Sequence, residues 1–173
     1  MHSLPYSKVS LMIRSRLVLA ALTTMALASP ATAAQITANA TVKVFKPVLL
    51  QKLQDMDFGT LSFGTFAGNR TIALSQAGVL SCAADIVCSG VGKQARFNLK
   101  GSNNLIVLVT YTGGTLTNNT DSIPFTANGP ATLTVPNSGN QGIDFNVGGS
   151  LVVSSVLVGG VYSGTMTVTA DYQ

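Results

Sequence analysis

Residues 160–173 read GVYSGTMTVTADYQ, and this stretch decides the fold. Consecutive side chains of a β-strand point to opposite faces of the sheet. One face of the stretch is rich in threonine, whereas the other face is apolar or small. The residues on that second face are Gly160, Tyr162, Gly164, Met166, Val168, Ala170 and Tyr172. This alternation predicts a strand over residues 160–172 with one face in a core.

The same alternation recurs along the chain in runs rich in Val, Thr, Ile and Leu, separated by Gly, Asn, Pro and Ser. Such runs predict strands, and such separators predict turns. Apolar residues do not recur at helical spacing over the length that an amphipathic helix needs. The predicted strands are 36–45, 71–74, 95–100, 105–111, 123–127, 131–135, 143–147, 150–158 and 160–172. We therefore expect an all-β fold, an immunoglobulin-like or pilin-like antiparallel β-sandwich of about seven to nine strands.

Residues 1–34 have the pattern of a secretory signal peptide. Arg14 and Arg16 precede an uncharged apolar run over residues 17–28, and small residues follow as far as Ala34. The run is shorter than the roughly 20 apolar residues of a membrane-spanning helix, so we expect a cleaved signal rather than an anchor. The pattern predicts export from the cytoplasm.

Cleavage is expected after Ala33 or Ala34. It would leave residues 35–173 as a single β-sandwich domain with no integral membrane segment. Met12, directly before the basic residues, offers an alternative start and would leave the same mature chain. The choice of start therefore does not affect the predicted domain.

Cleavage also changes the charge of the protein. The full chain has ten Lys and Arg residues and six acidic residues, all of them Asp, and three of the ten cations lie in the predicted signal. The mature domain is then close to neutral, without a basic patch for a nucleic acid. The only histidine, His2, leaves with the signal, and the chain has no Glu. Since few groups that titrate near neutral pH remain, we expect no catalytic, cofactor or metal site.

The acidic residues are expected in surface turns. Asp57-Phe58-Gly59 matches a metal-binding triplet of kinases, but no glycine-rich nucleotide loop accompanies it. The triplet instead predicts a turn into the next strand, with Phe58 buried.

Cys82 and Cys88 are the only two cysteines in the chain. In an oxidising compartment they are expected to pair and to close a short loop. A redox pair would more often have two residues between the cysteines, and a metal site needs more ligands than two thiols. We therefore predict a structural disulfide.

The end of the chain resembles that of pilus subunits assembled by the chaperone-usher pathway, including their spore-coat-U-like relatives. Those subunits end in an alternating strand with a penultimate aromatic residue and a glycine fourteen places from the end, the positions of Tyr172 and Gly160. Over nearly the whole mature chain, the sequence is also similar to the DUF4402 family of secreted bacterial proteins. The matching features are Ala38-Asn39-Ala40-Thr41-Val42, residues 53–59 and residues 162–173.

The pilus resemblance implies assembly by strand donation. A sandwich that lacks one strand exposes an apolar groove and unpaired backbone groups, which an N-terminal segment of a neighbour can fill. The segment that follows the predicted cleavage point alternates in the required way. Its apolar face consists of Ile36, Ala38, Ala40, Val42 and Val44. An ordinary first strand would show the same alternation, so both interpretations stay open.

The resemblance implies a non-enzymatic structural subunit of a pilus-like surface fibre, located in the periplasm, at the cell surface or in a fimbrium of a Gram-negative bacterium. Its partners would be other subunits or further copies of itself, a periplasmic chaperone and an usher. One alternative is a self-complete secreted sandwich that binds an unknown ligand. Another is a small outer-membrane β-barrel, which a mean hydropathy of +0.40 would fit, although the mature chain has few aromatic residues for the girdles of such a barrel.

Overall fold

The structure is a computed structural model that describes residues 33–137 and 141–173. The predicted signal peptide, residues 1–34, lies almost wholly outside the described residues. The chain divides into two units, Met1–Thr41 and Val42–Gln173, and every strand of the described part belongs to the second. In that part, no helix is long and apolar enough to span a membrane.

The described residues form twelve strands and no helix, which confirms the all-β prediction. The strands are β1 (Leu49–Gln54), β2 (Thr60–Phe63), β3 (Asn69–Leu74), β4 (Leu80–Ser81), β5 (Ile86–Ser89), β6 (Ala95–Lys100), β7 (Ile106–Thr112), β8 (Gly114–Thr117), β9 (Ser122–Asn128), β10 (Thr132–Thr134), β11 (Ile143–Ser154) and β12 (Thr167–Tyr172). Their number exceeds the expected seven to nine because several are short.

The strands form three sheets in which the ladders are antiparallel. The large sheet has seven strands with the path β1-β6-β11-β3-β4, while β9 joins β11 and carries β8. The second sheet has the order β10-β7-β12, and β2 pairs with β5 in a third. Side chains of the large and second sheets meet in one core cluster, which is the arrangement of a β-sandwich. Its buried members are Ala95, Phe97, Leu99, Val107, Val109, Val135, Phe145 and Val147.

Strand β11 connects this cluster to a second one. Phe145 and Val147 lie in the cluster just described, whereas Leu151 and Val153, on the same face of β11, lie in a cluster with residues of β3, β5 and β9. Gly148 stands between the two pairs, where an added Cβ would collide with the carbonyl oxygen of Leu74. The runs 143–147 and 150–158, predicted as two strands, are therefore one strand that ends at Ser154.

The Asp57-Phe58-Gly59 triplet forms the predicted turn. The Asp57 carboxylate accepts a hydrogen bond from the backbone N–H of Gly59 at 2.8 Å. Gly59 has a φ of 70°, a left-handed conformation that glycine adopts without a steric cost. Phe58 is 9% exposed and packs edge-on against Phe125. Strand β2 then begins at Thr60.

Two further predicted strands differ from the structure. The prediction for 36–45 is wrong, since no strand occurs among residues 33–48. The final strand is shorter than predicted, because only Thr167–Tyr172 forms the ladder with β7. Conversely, β1 was not predicted, because its sequence LLQKLQ does not alternate. A register shift between Lys52 and Gln54 accounts for this, since a bulge breaks the two-residue period.

The predicted disulfide is confirmed. Cys82 and Cys88 are bonded, with their Cα atoms 6.4 Å apart, and they close the connection between β4 and β5. Both side chains pack against the second core cluster, the one that contains Leu151 and Val153. The bond thus fixes a short loop at the edge of that cluster.

Replacing Cys82 and Cys88 together by serine is expected to lower the free energy of unfolding by about 2 kcal/mol, because a closed loop of this size restricts the unfolded chain. Urea denaturation of the oxidised protein and of the double variant measures the difference. Dithiothreitol should lower the stability of the natural chain and leave that of the variant unchanged. Equal stability of the two proteins under oxidising conditions would contradict the prediction.

Candidate functional site

Strand β12 is an edge of the sheet β10-β7-β12. It pairs with β7 in a register that runs from Thr167 opposite Thr112 to Tyr172 opposite Val107. Among the described strands, none pairs with its other side. The backbone N–H and C=O groups of that side have no ladder partner, and such a row can accept a further strand.

Strand β1 is an edge of the large sheet and borders the same core. In the described part it pairs with β6 alone and is not hydrogen-bonded to β12. Val48 and Leu50 nevertheless pack against the same cluster as Val168, Ala170 and Tyr172. Two free edges therefore flank one core. We call β1 and β12, with these five side chains, the open edge.

Side chains of the open edge are less buried than those of the inner strands. Leu99, Val107 and Val147, on three inner strands, are 0% exposed. All five side chains of the open edge are only half-buried. The core is thus less covered along the line between β1 and β12 than at these inner strands, and one more strand there would remove apolar surface from water.

Tyr172 fastens the end of β12 to the start of β1. Its hydroxyl donates a hydrogen bond to the carbonyl oxygen of Lys46 at 2.6 Å and accepts one from the N–H of Ser102 at 2.6 Å. The N–H of Lys46 in turn donates to the Ser102 hydroxyl at 2.6 Å. The Phe45 ring lies 5.8 Å from the Tyr172 ring. We call this arrangement the Tyr172 clamp.

The residues before β12 continue its course along β8. Ser163 forms an isolated antiparallel bridge with Thr117. Gly164 is exposed, and an added Cβ there would collide with the carbonyl oxygen of Thr115. Met166 packs against both core clusters. The predicted alternation therefore extends beyond the hydrogen-bonded ladder, as far back as this bridge.

Tyr162 and Gly160 lie at the far end of this stretch. The Tyr162 hydroxyl donates to the carbonyl oxygen of Val158 at 2.6 Å. Burial, and then the nearby Asp121 carboxylate, raise the pKa of Tyr162. Gly160 is exposed beside the Asn118 side chain. Neither residue contacts the open edge through a hydrogen bond, so both shape the loop that precedes β12.

The predicted donor residues are fully described and belong to no strand. Ile36, Ala38, Ala40, Val42 and Val44 are all exposed. Ile36 is 98% exposed, and Val42 and Val44 are each 84% exposed. A row of apolar side chains thus lies in water immediately before the folded domain.

No pattern in the sequence indicates that Lys46, Gly101 or Ser102 contacts Tyr172. These residues lie far from Tyr172 in the sequence and belong to no short motif. Gly101 lies so close to Tyr172 that an added Cβ would come within 2.5 Å of its hydroxyl, but in the sequence a glycine after a strand indicates no more than a turn. In residues 33–137 and 141–173, no three His, Cys, Asp or Glu side chains come together as a metal site would require.

Tyr172→Phe keeps the aromatic ring and removes both hydrogen bonds of the clamp hydroxyl. Since each such bond contributes about 0.5–1.5 kcal/mol, we expect the free energy of unfolding to fall by about 1–3 kcal/mol. Urea denaturation measures this change. Tyr162→Phe, which removes the one hydrogen bond from this hydroxyl to the Val158 carbonyl, is the matched control and should cost less. An equal or larger loss in the control would show that the clamp is not the stabilising contact.

Comparison with known proteins gives one family. The family described as "Domain of unknown function (DUF4402)" matches residues 48–172. Comparisons with curated proteins and with solved structures returned no significant match. The matched residues include β1, the Tyr172 hydroxyl's partner Ser102 and all of β12. The match extends over most of the chain, and the protein therefore belongs to the DUF4402 family.

Proposed function

We propose that this protein is an exported, non-enzymatic structural subunit of a pilus-like surface fibre, assembled by strand donation between copies. The acceptor is the open edge of one copy, and the donor is the segment from Gln35 to Val44 of the next. The single observation that carries the proposal is the pair of free edges, β1 and β12, that flank one incompletely covered core.

The donor segment matches the acceptor in length. Residues 36–44 would span about 30 Å as an extended strand. The stretch from Ser163 to Tyr172, which includes β12, has a similar extended length of about 30 Å. A donor of this size can therefore run along the whole stretch, from the bridge with Thr117 to the Tyr172 clamp.

The donor segment also matches the acceptor in chemistry. Its alternate residues are apolar, and the half-buried row of the open edge is apolar too. Pairing them would remove both surfaces from water, at roughly 25 cal/mol for each Å² of apolar surface. The free backbone groups of β12 would gain ladder partners at the same time. Without such a partner, side chains as exposed as Ile36 contribute nothing to stability.

The same open edge explains why the proposed subunit would need helper proteins. A free, flat strand edge next to apolar side chains is a site of aggregation until it is paired. We therefore propose that a periplasmic chaperone covers the open edge after export, and that an usher exchanges the chaperone for the donor of the next subunit. The subunit would act in the periplasm and then at the cell surface, in a fimbrium.

Substitution of the donor's apolar face tests the proposal on the mature chain. Ile36→Asp with Val42→Asp should prevent assembly, because a buried carboxylate cannot occupy an apolar site. Thr37→Asp with Thr41→Asp, on the opposite face, is the matched control and should still assemble. Size-exclusion chromatography with light scattering, together with electron microscopy, measures assembly. Equal behaviour of the two variants, or a natural chain that stays monomeric, would overturn the proposal.

A synthetic peptide of residues 35–44 tests the acceptor separately. Added to the Ile36→Asp, Val42→Asp chain, it should raise the melting temperature, with about 2.7 kcal/mol of stabilisation at a hundredfold excess over its Kd. A peptide that carries the same two substitutions should have no effect. If neither peptide stabilises the chain, the open edge is not an acceptor.

One observation favours a second function, the binding of a polar ligand by a self-complete sandwich. A shallow depression of about 880 Å³ lies on the large sheet, lined among others by Gln54, Gln76, Gln94 and Asn146. Side-chain amides of this kind bind polar groups by hydrogen bonds. Under this function the natural chain would be a stable monomer that the donor peptide does not affect.

A further inference from the structure

The loop between β11 and β12 presents three exposed valines. Val156, Val158 and Val161 are 83%, 52% and 88% exposed. Residues 155–161 contain no charged side chain. We call this segment the valine loop.

The valine loop is held in place by hydrogen bonds. The N–H of Val158 donates to the Asp121 carboxylate at 2.7 Å, and its carbonyl oxygen accepts from Tyr162 at 2.6 Å. The Ser155 hydroxyl donates to the carbonyl oxygen of Phe66 at 3.0 Å. Because the loop is already ordered, docking on it costs little conformational entropy. A fixed, exposed apolar loop has the properties of an interaction surface.

A second apolar patch lies at the opposite end of the domain. Phe45 and Leu49, which follow the donor segment in the chain and which we call the Phe45 patch, are 53% and 58% exposed. The patch lies beside the Tyr172 clamp, since the Phe45 ring is 5.8 Å from the Tyr172 ring and Leu49 is the first residue of β1. The valine loop instead adjoins the far end of the stretch that bridges to Thr117. The two patches are therefore about 30 Å apart along the strand direction.

The direction of an added strand would bring these patches together between copies. The described ladders of the sheet β10-β7-β12 are antiparallel. A donor that continues this pattern along β12 runs from the Tyr172 clamp towards the valine loop. Its last residue is Val44, and Phe45 of the donating copy follows at once. The Phe45 patch of the donating copy then faces the valine loop of the accepting copy.

We propose that the valine loop is a docking surface for the Phe45 patch of a second copy of this chain. This inference rests on the proposed function, because strand donation sets the order and direction of the copies. The contact joins two different patches at opposite ends of the domain. Such a contact does not close on itself, so it repeats into an open filament.

Cysteine cross-linking tests the contact in the mature chain. Leu49→Cys with Val161→Cys places one thiol in each patch, too far apart within one copy for a disulfide, which needs Cα atoms within about 7 Å. Oxidation of assembled protein should give a ladder of dimers, trimers and longer species on a non-reducing gel. Either single variant should stay monomeric on the gel, because its thiol faces no second thiol across the contact. The pair Leu49→Cys with Val79→Cys, with the second thiol on another exposed valine, should give no ladder.

Serine substitution tests the energetic contribution of the loop. Val156→Ser with Val161→Ser should raise the concentration needed for assembly roughly tenfold or more, since two apolar side chains leave the contact. Val79→Ser with Val91→Ser, on valines that are 64% and 79% exposed, is the matched control and should leave it unchanged. In the Ile36→Asp, Val42→Asp chain, the loop substitutions should not alter stabilisation by the peptide of residues 35–44.

The outcomes separate the inference from the proposed function. Fibres without a cross-linked ladder, or a ladder of equal strength from the Val79 control, would overturn the docking surface while strand donation stands. A strong dimer from Val161→Cys alone would also overturn it, because that result indicates loop-to-loop contact. Failure of the peptide to stabilise the acceptor chain would overturn strand donation and, with it, this inference.

Discussion

Strand β11 carries two core clusters on one face, and the packing of the domain depends on that continuity. Its first half pairs with β6 and its second half with β3 and β9, so three strands take their position from it. The change of partner occurs at Gly148, where the backbone of β3 approaches too closely for a side chain. Strands β1 and β12 do not touch β11 through hydrogen bonds. Each is an edge strand beside a core that β11 organises.

Electrostatics contributes little to this arrangement. The ion pairs of the described part, Lys52–Asp55, Arg70–Asp85 and Arg96–Asp144, lie at the surface. Exposed pairs of this kind contribute about 0–1 kcal/mol each. Stability therefore rests on apolar burial and on the backbone ladders. A protein with this balance is sensitive to how completely its core is covered, which is the quantity that strand addition along β1 and β12 would change.

The fold class was predictable because one face of each long strand is buried, and burial on one face imposes a two-residue period on the sequence. This holds for β6, β7, β9 and β12, which all alternate in burial. The period is lost at the bulge in β1, so that half of the open edge was not predictable. Alternation also could not separate a paired strand from the unpaired residues 36–44. The Tyr172 clamp could not be predicted from the sequence, because the hydrogen-bond partners of the Tyr172 hydroxyl lie 70 and 126 residues away.

The Tyr172 clamp has a mechanical consequence. A force that pulls on the chain before Phe45 reaches the domain at Lys46, where the Tyr172 hydroxyl is attached. Part of the load then passes into β12 and part into β1, along the axes of both strands. Ladder hydrogen bonds lie across the strands, so an axial force strains all of them together instead of opening them one by one. Tension that enters the domain at the clamp is therefore resisted by two sheets at once.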